Sequence, residues 1–173
     1  MSLQIFEQRY LDLVAHCMRE GEGFGVVWLQ QGSEISGGSL DTPNVGEYGT
    51  YARIVDWDQL PNGLLGITIE GHEPFDVQSV WREPSGLVKA EVVWRDLPET
   101  MQLPDSHASL AEVLEGLLRH PQIQRLQLDS DLTDGWRVGA QLAQLLPIDE
   151  GLKYQLQGLT SVEQLLEEMD NIL

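Results

Sequence analysis

The segment YARIVDWDQLPNGLLGITIEG, from Tyr51 to Gly71, decides the fold class of this chain. Its second half alternates apolar and polar residues, and a period of two is typical of a strand with one buried face. Asn62-Gly63 lies between the two halves and is a strong short-range signal for a hairpin turn. The segment therefore predicts two antiparallel strands joined by a tight turn.

Two further segments downstream have the same period. PFDVQSVW (residues 74–81) and GLVKAEVVWRDL (residues 86–97) predict two more strands on either side of a turn at EPSG. Five or more short strands with few helices between them indicate an antiparallel sheet or a small barrel.

Upstream of the hairpin, the sequence predicts a helix, a strand and a loop. Five apolar residues recur at steps of three and four and would share one helix face: Phe6, Tyr10, Leu13, Val14 and Cys17. Gly21 and Gly23 should end this helix, and GFGVVWL should form a strand covered on both faces. Residues 32–50 are rich in Gly, Ser, Asn, Asp and Pro, which predicts an exposed loop.

Beyond residue 98 the apolar spacing becomes helical. Ser109 with Glu112, and Thr160 with Glu163, match the capping box that begins a helix. A helix containing Trp136 should stop at Pro147, and a final helix should carry the apolar stripe Val162, Leu165, Leu166, Met169, Ile172 and Leu173. We therefore expect a β-rich domain over residues 1–97 and an α-helical domain over residues 98–173.

Composition narrows the classes of partner and compartment. The chain has 173 residues and a formal net charge of −18, with acidic residues spread along its length. Such a surface repels phosphate groups, which argues against nucleic acid and anionic membranes as partners. The single cysteine excludes an intramolecular disulfide, and there is no apolar run long enough to span a membrane, so we expect a cytoplasmic protein.

The motifs that suggest chemistry are weak. His16 and Cys17 are adjacent on the predicted helix and would point about 100° apart, which does not suit a nucleophile and its base. DSDLTDGW lacks the glycine and glutamate that a calcium loop needs, so its aspartates, Asp129, Asp131 and Asp134, are interpreted as N-capping and dipole-complementing groups of the helix that contains Trp136. No phosphate-binding loop and no metal-ligand spacing occurs, so no catalytic residue, metal or cofactor is predicted.

Aromatic residues remain as candidates for binding. We expect about three in four of the following to lie inside: Trp28, Trp57, Trp81, Trp94, Trp136, Phe6, Phe24 and Phe75. A groove for an extended polypeptide is predicted at Tyr48, Tyr51, Trp57 and Phe75.

The order of these elements resembles a known family. IFEQRY, GFGVV and GTYA, together with the hairpin and the C-terminal segment DLTDGWRVGAQLAQLLPIDEGLKYQLQGLTSVEQLLEEM, are similar to the N-terminal, substrate-binding domain of Lon protease. The resemblance implies an α+β fold, in which a PUA-like antiparallel β pseudo-barrel precedes an α-helical bundle. It also implies a non-catalytic module that recognises unfolded or extended polypeptides or another protein. The chain contains neither the ATPase nor the protease part of Lon, so it is expected to be a stand-alone member.

Two departures from the family pattern carry further expectations. Gln8 occupies a position that is usually proline, and only MSLQ precedes the IFE motif, where the family has a longer strand. MSL is interpreted as a vector-derived leader on a truncated chain. A missing first strand would leave an unpaired sheet edge and predicts a homodimer formed by strand pairing.

Two alternatives from other classes stay open. An acid-rich hydrolase would assemble its site from distant carboxylates, and at least one of them would have a strongly raised pKa. RNA binding is known for PUA-like topologies, and it would require a basic stripe on the folded surface. Glu7 and Arg9 match the family's opening motif, and they are interpreted as a local capping or ion-pairing arrangement.

Overall fold

The computed structural model describes residues 1–31 and 44–173, and within these ranges the chain has an α+β fold, as predicted. It divides into two compact units, Met1–Asp96 and Leu97–Leu173, which are called the β unit and the helical unit below. Antiparallel strands build the first unit and helices build the second.

The β unit contains one antiparallel sheet and one helix. Its elements are β1 (Ser2–Ile5), α1 (Gln8–Glu20), β2 (Phe24–Gln31), β3 (Asn44–Gln59), β4 (Leu65–Arg82) and β5 (Val88–Trp94). The strand order is β1-β4-β3-β2, and β5 also pairs with β4. β3 pairs with one edge of β4 from Leu65 to Asp76, and the other edge pairs with β1 at Leu65–Thr68 and with β5 at Phe75–Arg82.

The predicted hairpin between β3 and β4 is confirmed. The Leu60 N–H donates to the Leu64 carbonyl over 2.9 Å, and the Asn62 side-chain oxygen accepts from the Leu64 N–H over 3.1 Å. Gly63 has a φ of 82°, a left-handed conformation that glycine adopts without steric cost.

The prediction of two separate strands before and after His72 is wrong, because both belong to β4. The segment from Gly71 to Pro74 breaks the apolar alternation, yet Gly71 pairs with Ala52 and Pro74 with Thr50. A shift of register between these two pairs absorbs the irregular segment.

Two expectations about strand edges and loops also need correction. Residues Ser2–Ile5 form β1 along Leu65–Thr68 of β4, so the edge that was expected to be unpaired carries a strand there. The Met1 ammonium donates to the Ile69 carbonyl over 2.8 Å and extends this contact by one residue. Residues 44–50 of the predicted loop belong to β3, while residues 32–43 lie outside the described residues.

Helix α1 has a narrower apolar face than the sequence predicts. Val14 and Cys17 are buried, but Phe6 precedes the helix and is 64% exposed. Gly21 ends the helix in the left-handed conformation, with φ 71°, as expected. The next strand, β2, was expected to be covered on both faces; this is wrong, because its Trp28 is exposed.

The helical unit packs its helices around α4. Its elements are α2 (Ala108–Leu118), α3 (Pro121–Gln124), α4 (Gly135–Leu145), α5 (Glu150–Gln157) and α6 (Val162–Ile172), with a short 3-10 turn at Asp105–His107. Val138 and Leu142 of α4 are fully buried among the leucines of α2 and α6. Gly139 lets α6 approach closely, since a Cβ at this position would lie 2.8 Å from Leu165 side-chain carbons.

Helix starts in this unit test the capping predictions. The Asp134 side chain accepts from the Trp136 N–H over 3.0 Å, which confirms the predicted N-cap of α4. Both capping-box positions are wrong: α2 begins after His107, which makes no side-chain cap, and α6 is capped by Ser161. In α6 the Ser161 hydroxyl accepts from the Gln164 N–H, so the box lies one residue later than Thr160.

Candidate functional site

The aromatic side chains of the β unit are more exposed than the sequence predicts. Five of the eight residues expected to be mostly internal are exposed: Phe6, Trp28, Trp57, Trp81 and Trp94. Phe24 and Trp136 are half-buried, and Phe75 is 3% exposed. The expectation fails because the buried hydrophobic core of this unit is small and is built around Val14, Ala52, Ile67 and Ile69.

Phe75 and Trp94 form an aromatic cluster with Tyr51, and the cluster is defined by these three residues. The Trp94 ring meets Tyr51 at a centroid distance of 5.7 Å and an interplanar angle of 85°, and it meets Phe75 at 6.1 Å and 86°. Both are edge-to-face arrangements, which aromatic pairs favour. Trp94 remains 57% exposed, so the cluster presents a large apolar surface on a fixed base.

The base of the cluster is built from three strands. In register, Gly49 of β3 lies beside Phe75 of β4, which lies beside Trp94 of β5. A Cβ at Gly49 would lie 2.8 Å from the Phe75 Cζ, and one at Gly25 of β2 would lie 2.9 Å from it. The two glycines therefore create the space that Phe75 fills.

Tyr51 is held by its hydroxyl group. The Gly23 N–H donates to the Tyr51 oxygen over 2.6 Å, which ties the ring to the turn after α1. The Arg53 guanidinium lies 5.9 Å from the ring centroid. Because Tyr51 is fixed and half-buried, it can support Trp94 and contribute part of its own ring to the surface.

The opposite face of the same strands carries a polar arrangement. Tyr48 lies in register with Asp76, and the Arg95 Nε donates to the Asp76 carboxylate over 2.7 Å. The Arg95 guanidinium also lies 4.8 Å from the Tyr48 ring centroid, within range of a cation–π contact. Side chains on adjacent strand positions point to opposite faces, so this arrangement is separate from Phe75 and Trp94.

Trp57 lies further along β3, six positions from Tyr51, which corresponds to about 20 Å of strand. It is 58% exposed and borders a shallow cavity of about 220 Å³. The cavity is lined by residues of β1, β3 and β4 and of the turn: Ser2, Leu3, Gln4, Asp56, Trp57, Asp58, Leu60, Gly66, Ile67 and Thr68.

The structure thus separates the four residues that the sequence grouped as a polypeptide groove. Tyr51 and Phe75 lie together, Tyr48 lies on the other face, and Trp57 lies at a distance along β3. Phe75 is internal, so it supports the cluster and adds no exposed surface. Trp94, which completes the cluster, was not among the predicted contacts, because its neighbours follow from a cross-strand register that the sequence does not reveal.

The family motif at the start of α1 has a structural arrangement. The Arg9 Nε donates to the Glu7 carboxylate over 2.9 Å, and the Arg9 Nη1 donates to the Gly86 carbonyl over 2.7 Å. Arg9 is 7% exposed, and Glu7 makes no side-chain cap at the helix start. The ion pair with Glu7 is therefore local to the start of α1, and the hydrogen bond from Arg9 to Gly86 connects the helix to the turn between β4 and β5.

In the described residues, His16 and Cys17 are not placed as a nucleophile and its base, and the carboxyl pKa values that shift are lowered. His16 is exposed and lies 3.8 Å from Glu22, whereas Cys17 is buried and its thiol meets the Gly23 carbonyl at 3.5 Å. Hydrogen bonds from Thr133 lower the pKa of Asp131, and the Ser161 hydroxyl lowers that of Glu163. The hydrolase alternative requires a carboxyl group with a raised pKa, and both of these pKa values are lowered.

The described ranges contain neither a metal-binding cluster nor a membrane-spanning helix. No group of three or more His, Cys, Asp or Glu side chains is placed to hold a metal ion within residues 1–31 and 44–173. In the same ranges, no helix has the length and apolar character needed to cross a membrane.

Comparison with known proteins points to one family. The family model described as "ATP-dependent protease La (LON) substrate-binding domain" matches residues 1–172. Among solved structures, the Lon N-terminal domain protein from Xanthomonas campestris is 34% identical, with a TM-score of 0.79, over 98% of this chain and 86% of that one.

A second structure shares the fold. The N-terminal domain of Lon protease from Mycobacterium avium complex has a TM-score of 0.62 over 99% of this chain and 88% of that one, at 13% identity. No curated protein matches the chain.

Proposed function

This chain belongs to the LON substrate-binding domain family, and from that premise we propose that it is a non-catalytic module that binds extended polypeptide segments. The exposed Trp94, seated on Tyr51 and Phe75, is the observation that carries the proposal. Binding energy in protein interfaces is concentrated in aromatic anchors that are already held in place.

The cluster suits an extended segment for a geometric reason. Tyr51 on β3 and Trp94 on β5 lie on either side of β4 with their rings in contact, so a partner's apolar side chain can cover both rings. The base is fixed by Phe75 and by the hydrogen bond from Gly23 to Tyr51, so little side-chain freedom is lost on binding.

The charge of the chain adds a preference among segments. With 28 acidic and ten basic residues, the surface attracts cationic peptides and repels phosphate-rich ligands. We therefore expect basic, apolar segments to bind better than acidic ones. The single cysteine, Cys17, is buried as a free thiol, which supports a location in the reducing cytoplasm.

The test is peptide binding measured by fluorescence anisotropy, with labelled, unstructured peptides that contain apolar residues. Trp94→Ala should weaken binding by about tenfold or more, because it removes the anchor. Trp81→Ala is the matched control: Trp81 is 43% exposed in β4 but lies outside the cluster, so its loss should change affinity by less than about twofold.

Circular dichroism should show that both variants are folded. Equal affinities of the native chain and Trp94→Ala would contradict the cluster as the binding surface. Absence of binding by every peptide, with the native chain folded, would contradict the proposed function itself.

A further inference from the structure

One edge of the sheet continues beyond the strand that covers it. Strand β2 pairs with β3 from Asn44 to Ala52, and in the described part of the chain no strand pairs with that edge between Arg53 and Gln59. This segment, called the β3 edge, pairs with β4 on its other side only. Residues 55–59 are all exposed. An open strand edge presents backbone N–H and C=O groups that another chain can pair with.

The side chains of the β3 edge alternate in chemistry. Val55 and Trp57 are 55% and 58% exposed, and Asp56 and Asp58 alternate with them. Both aspartates line the cavity of about 220 Å³ together with Trp57, and β1 contributes Ser2, Leu3 and Gln4 to it. Neither forms an ion pair with a lysine or arginine of residues 1–31 and 44–173.

The Asp56 side chain also forms a hydrogen bond with one of the backbone groups of the β3 edge. Its carboxylate accepts from the Trp57 N–H over 2.8 Å. A strand that pairs at Trp57 must displace this carboxylate, and a cation on the incoming strand gives the carboxylate a new partner. A second copy of this chain brings its own aspartates to the same edge, so like charges oppose edge-to-edge pairing of two copies.

We propose that the β3 edge accepts an extended polypeptide segment of alternating basic and apolar residues as an added strand. This inference rests on the proposed function and adds a second binding surface for the same extended segments, separate from the aromatic cluster of Tyr51, Phe75 and Trp94. Alternate residues of an added strand face the two sides of the sheet. Basic side chains then lie beside Asp56 and Asp58 on one face, and apolar side chains lie beside Trp57 on the other face. Main-chain hydrogen bonds supply the affinity, and the alternation supplies the specificity.

The test uses a labelled peptide of about ten residues in which lysine alternates with valine or threonine. Two N-methylated forms carry methyl groups on one or the other set of alternate amides. An added strand donates only one of these sets to its neighbour, so one form should lose at least about tenfold in affinity while the other stays within about threefold. A peptide of the same composition with its lysines in adjacent pairs should also bind about tenfold more weakly.

The protein variants test the same edge. The double substitution Asp56→Asn with Asp58→Asn should lower the affinity for the alternating peptide by about tenfold. Glu167→Gln with Glu168→Gln makes the same charge change on exposed positions of α6 and is the matched control, with an expected loss of less than about twofold. The double asparagine variant should also self-associate at concentrations at which the native chain does not, as measured by analytical ultracentrifugation.

The outcomes separate the inference from the proposed function. If unstructured peptides bind but the two N-methylated forms lose affinity equally, the strand-addition inference is overturned and the proposed function stands. Equal losses in the aspartate and glutamate variants overturn the role of the β3 edge. If no peptide binds the native chain, both are overturned together.

Discussion

At the scale of single residues, Cys17 shows how burial changes chemistry. It lies on the inner face of α1 and is 2% exposed. Burial, with a smaller contribution from the charge of Glu22, raises the pKa of the Cys17 thiol above its ordinary value of 9.0. The thiol therefore stays protonated in the folded protein at a pH where the unfolded chain has begun to ionise.

This shift predicts a loss of stability in alkaline solution. The pKa of the Cys17 thiol is higher in the folded state than its unfolded value of 9.0. The contribution of this thiol to the free energy of unfolding is therefore fully present below the unfolded pKa and is lost as the pH rises through the folded pKa. Cys17→Ala removes this contribution and should flatten that part of the pH profile. Urea unfolding of both proteins between about pH 8 and pH 10 measures it. Parallel profiles for the two proteins would contradict the prediction.

Residue roles were predictable where they depend on nearby sequence. The cap at Asp134 follows from DSDLTDGW, because the capping bond reaches only two residues along the chain. The burial of Phe75 and the exposure of Trp94 depend on Gly25, Gly49 and a register between distant strands. No local pattern contains that information, so the aromatic cluster was only partly predicted.

At the scale of elements, α6 shows how a cap sets a helix boundary. The Ser161 hydroxyl accepts from the Gln164 N–H over 3.3 Å and donates to the Glu163 carboxylate over 2.7 Å. Thr160, one residue earlier, makes no such cap. Both residues fit a hydroxyl-x-x-acid/amide pattern, which is why the sequence alone favoured the wrong one.

The two hydroxyl residues therefore predict different mutational effects. Ser161→Ala should reduce the free energy of unfolding by about 1 kcal/mol, since it leaves an N-terminal amide of α6 without its partner. Thr160→Ala is the paired control, with an expected change within about 0.5 kcal/mol. Chemical denaturation followed by circular dichroism measures both. A larger loss in the threonine variant would place the cap where the sequence first suggested it.

Strands were harder to predict than helices for a physical reason. The hairpin at Asn62-Gly63 is local and was predicted, whereas β4 was divided in two because Gly71 to Pro74 interrupts its alternation. Pairing with β3 on one side holds this irregular segment in the sheet. β1 was missed because four residues carry too little pattern, and its pairing with β4 stabilises it.

At the scale of the whole molecule, the net charge of −18 sets the response to salt. Repulsion among carboxylates destabilises the folded state, and raising the salt from about 0.01 M to 0.15 M shortens the screening length from about 30 Å to about 8 Å. An increase of about 1 kcal/mol in the free energy of unfolding from this screening should raise Tm by about 2–4 °C.

Differential scanning calorimetry in sodium chloride measures this, and potassium chloride should give the same shift if screening is the cause. A Tm that falls or stays constant would contradict it. The same salt should weaken binding of a basic peptide, so stability and affinity are expected to change in opposite directions.

The fold class could be predicted from the whole sequence, since a period of two gives way to helical spacing near residue 98. The set of residues in the interior could not be predicted in this way. Among the residues that the structure describes, the helical unit encloses a larger set of buried residues than the β unit, and the β unit leaves its tryptophans at the surface. Composition gives the number of apolar side chains, but it does not show which of them lie in the interior and which form a binding surface.

The contact between Arg9 and Gly86 has a consequence for how the chain is made. Its two residues are 77 positions apart, so the guanidinium leaves the ribosome well before its carbonyl partner has been synthesised. Until the β4–β5 turn has also left the ribosome, α1 lacks this contact, and we expect the nascent N-terminal segment to be more open to chaperones and proteases. Emergence of the turn is therefore the step at which we expect that segment to gain protection.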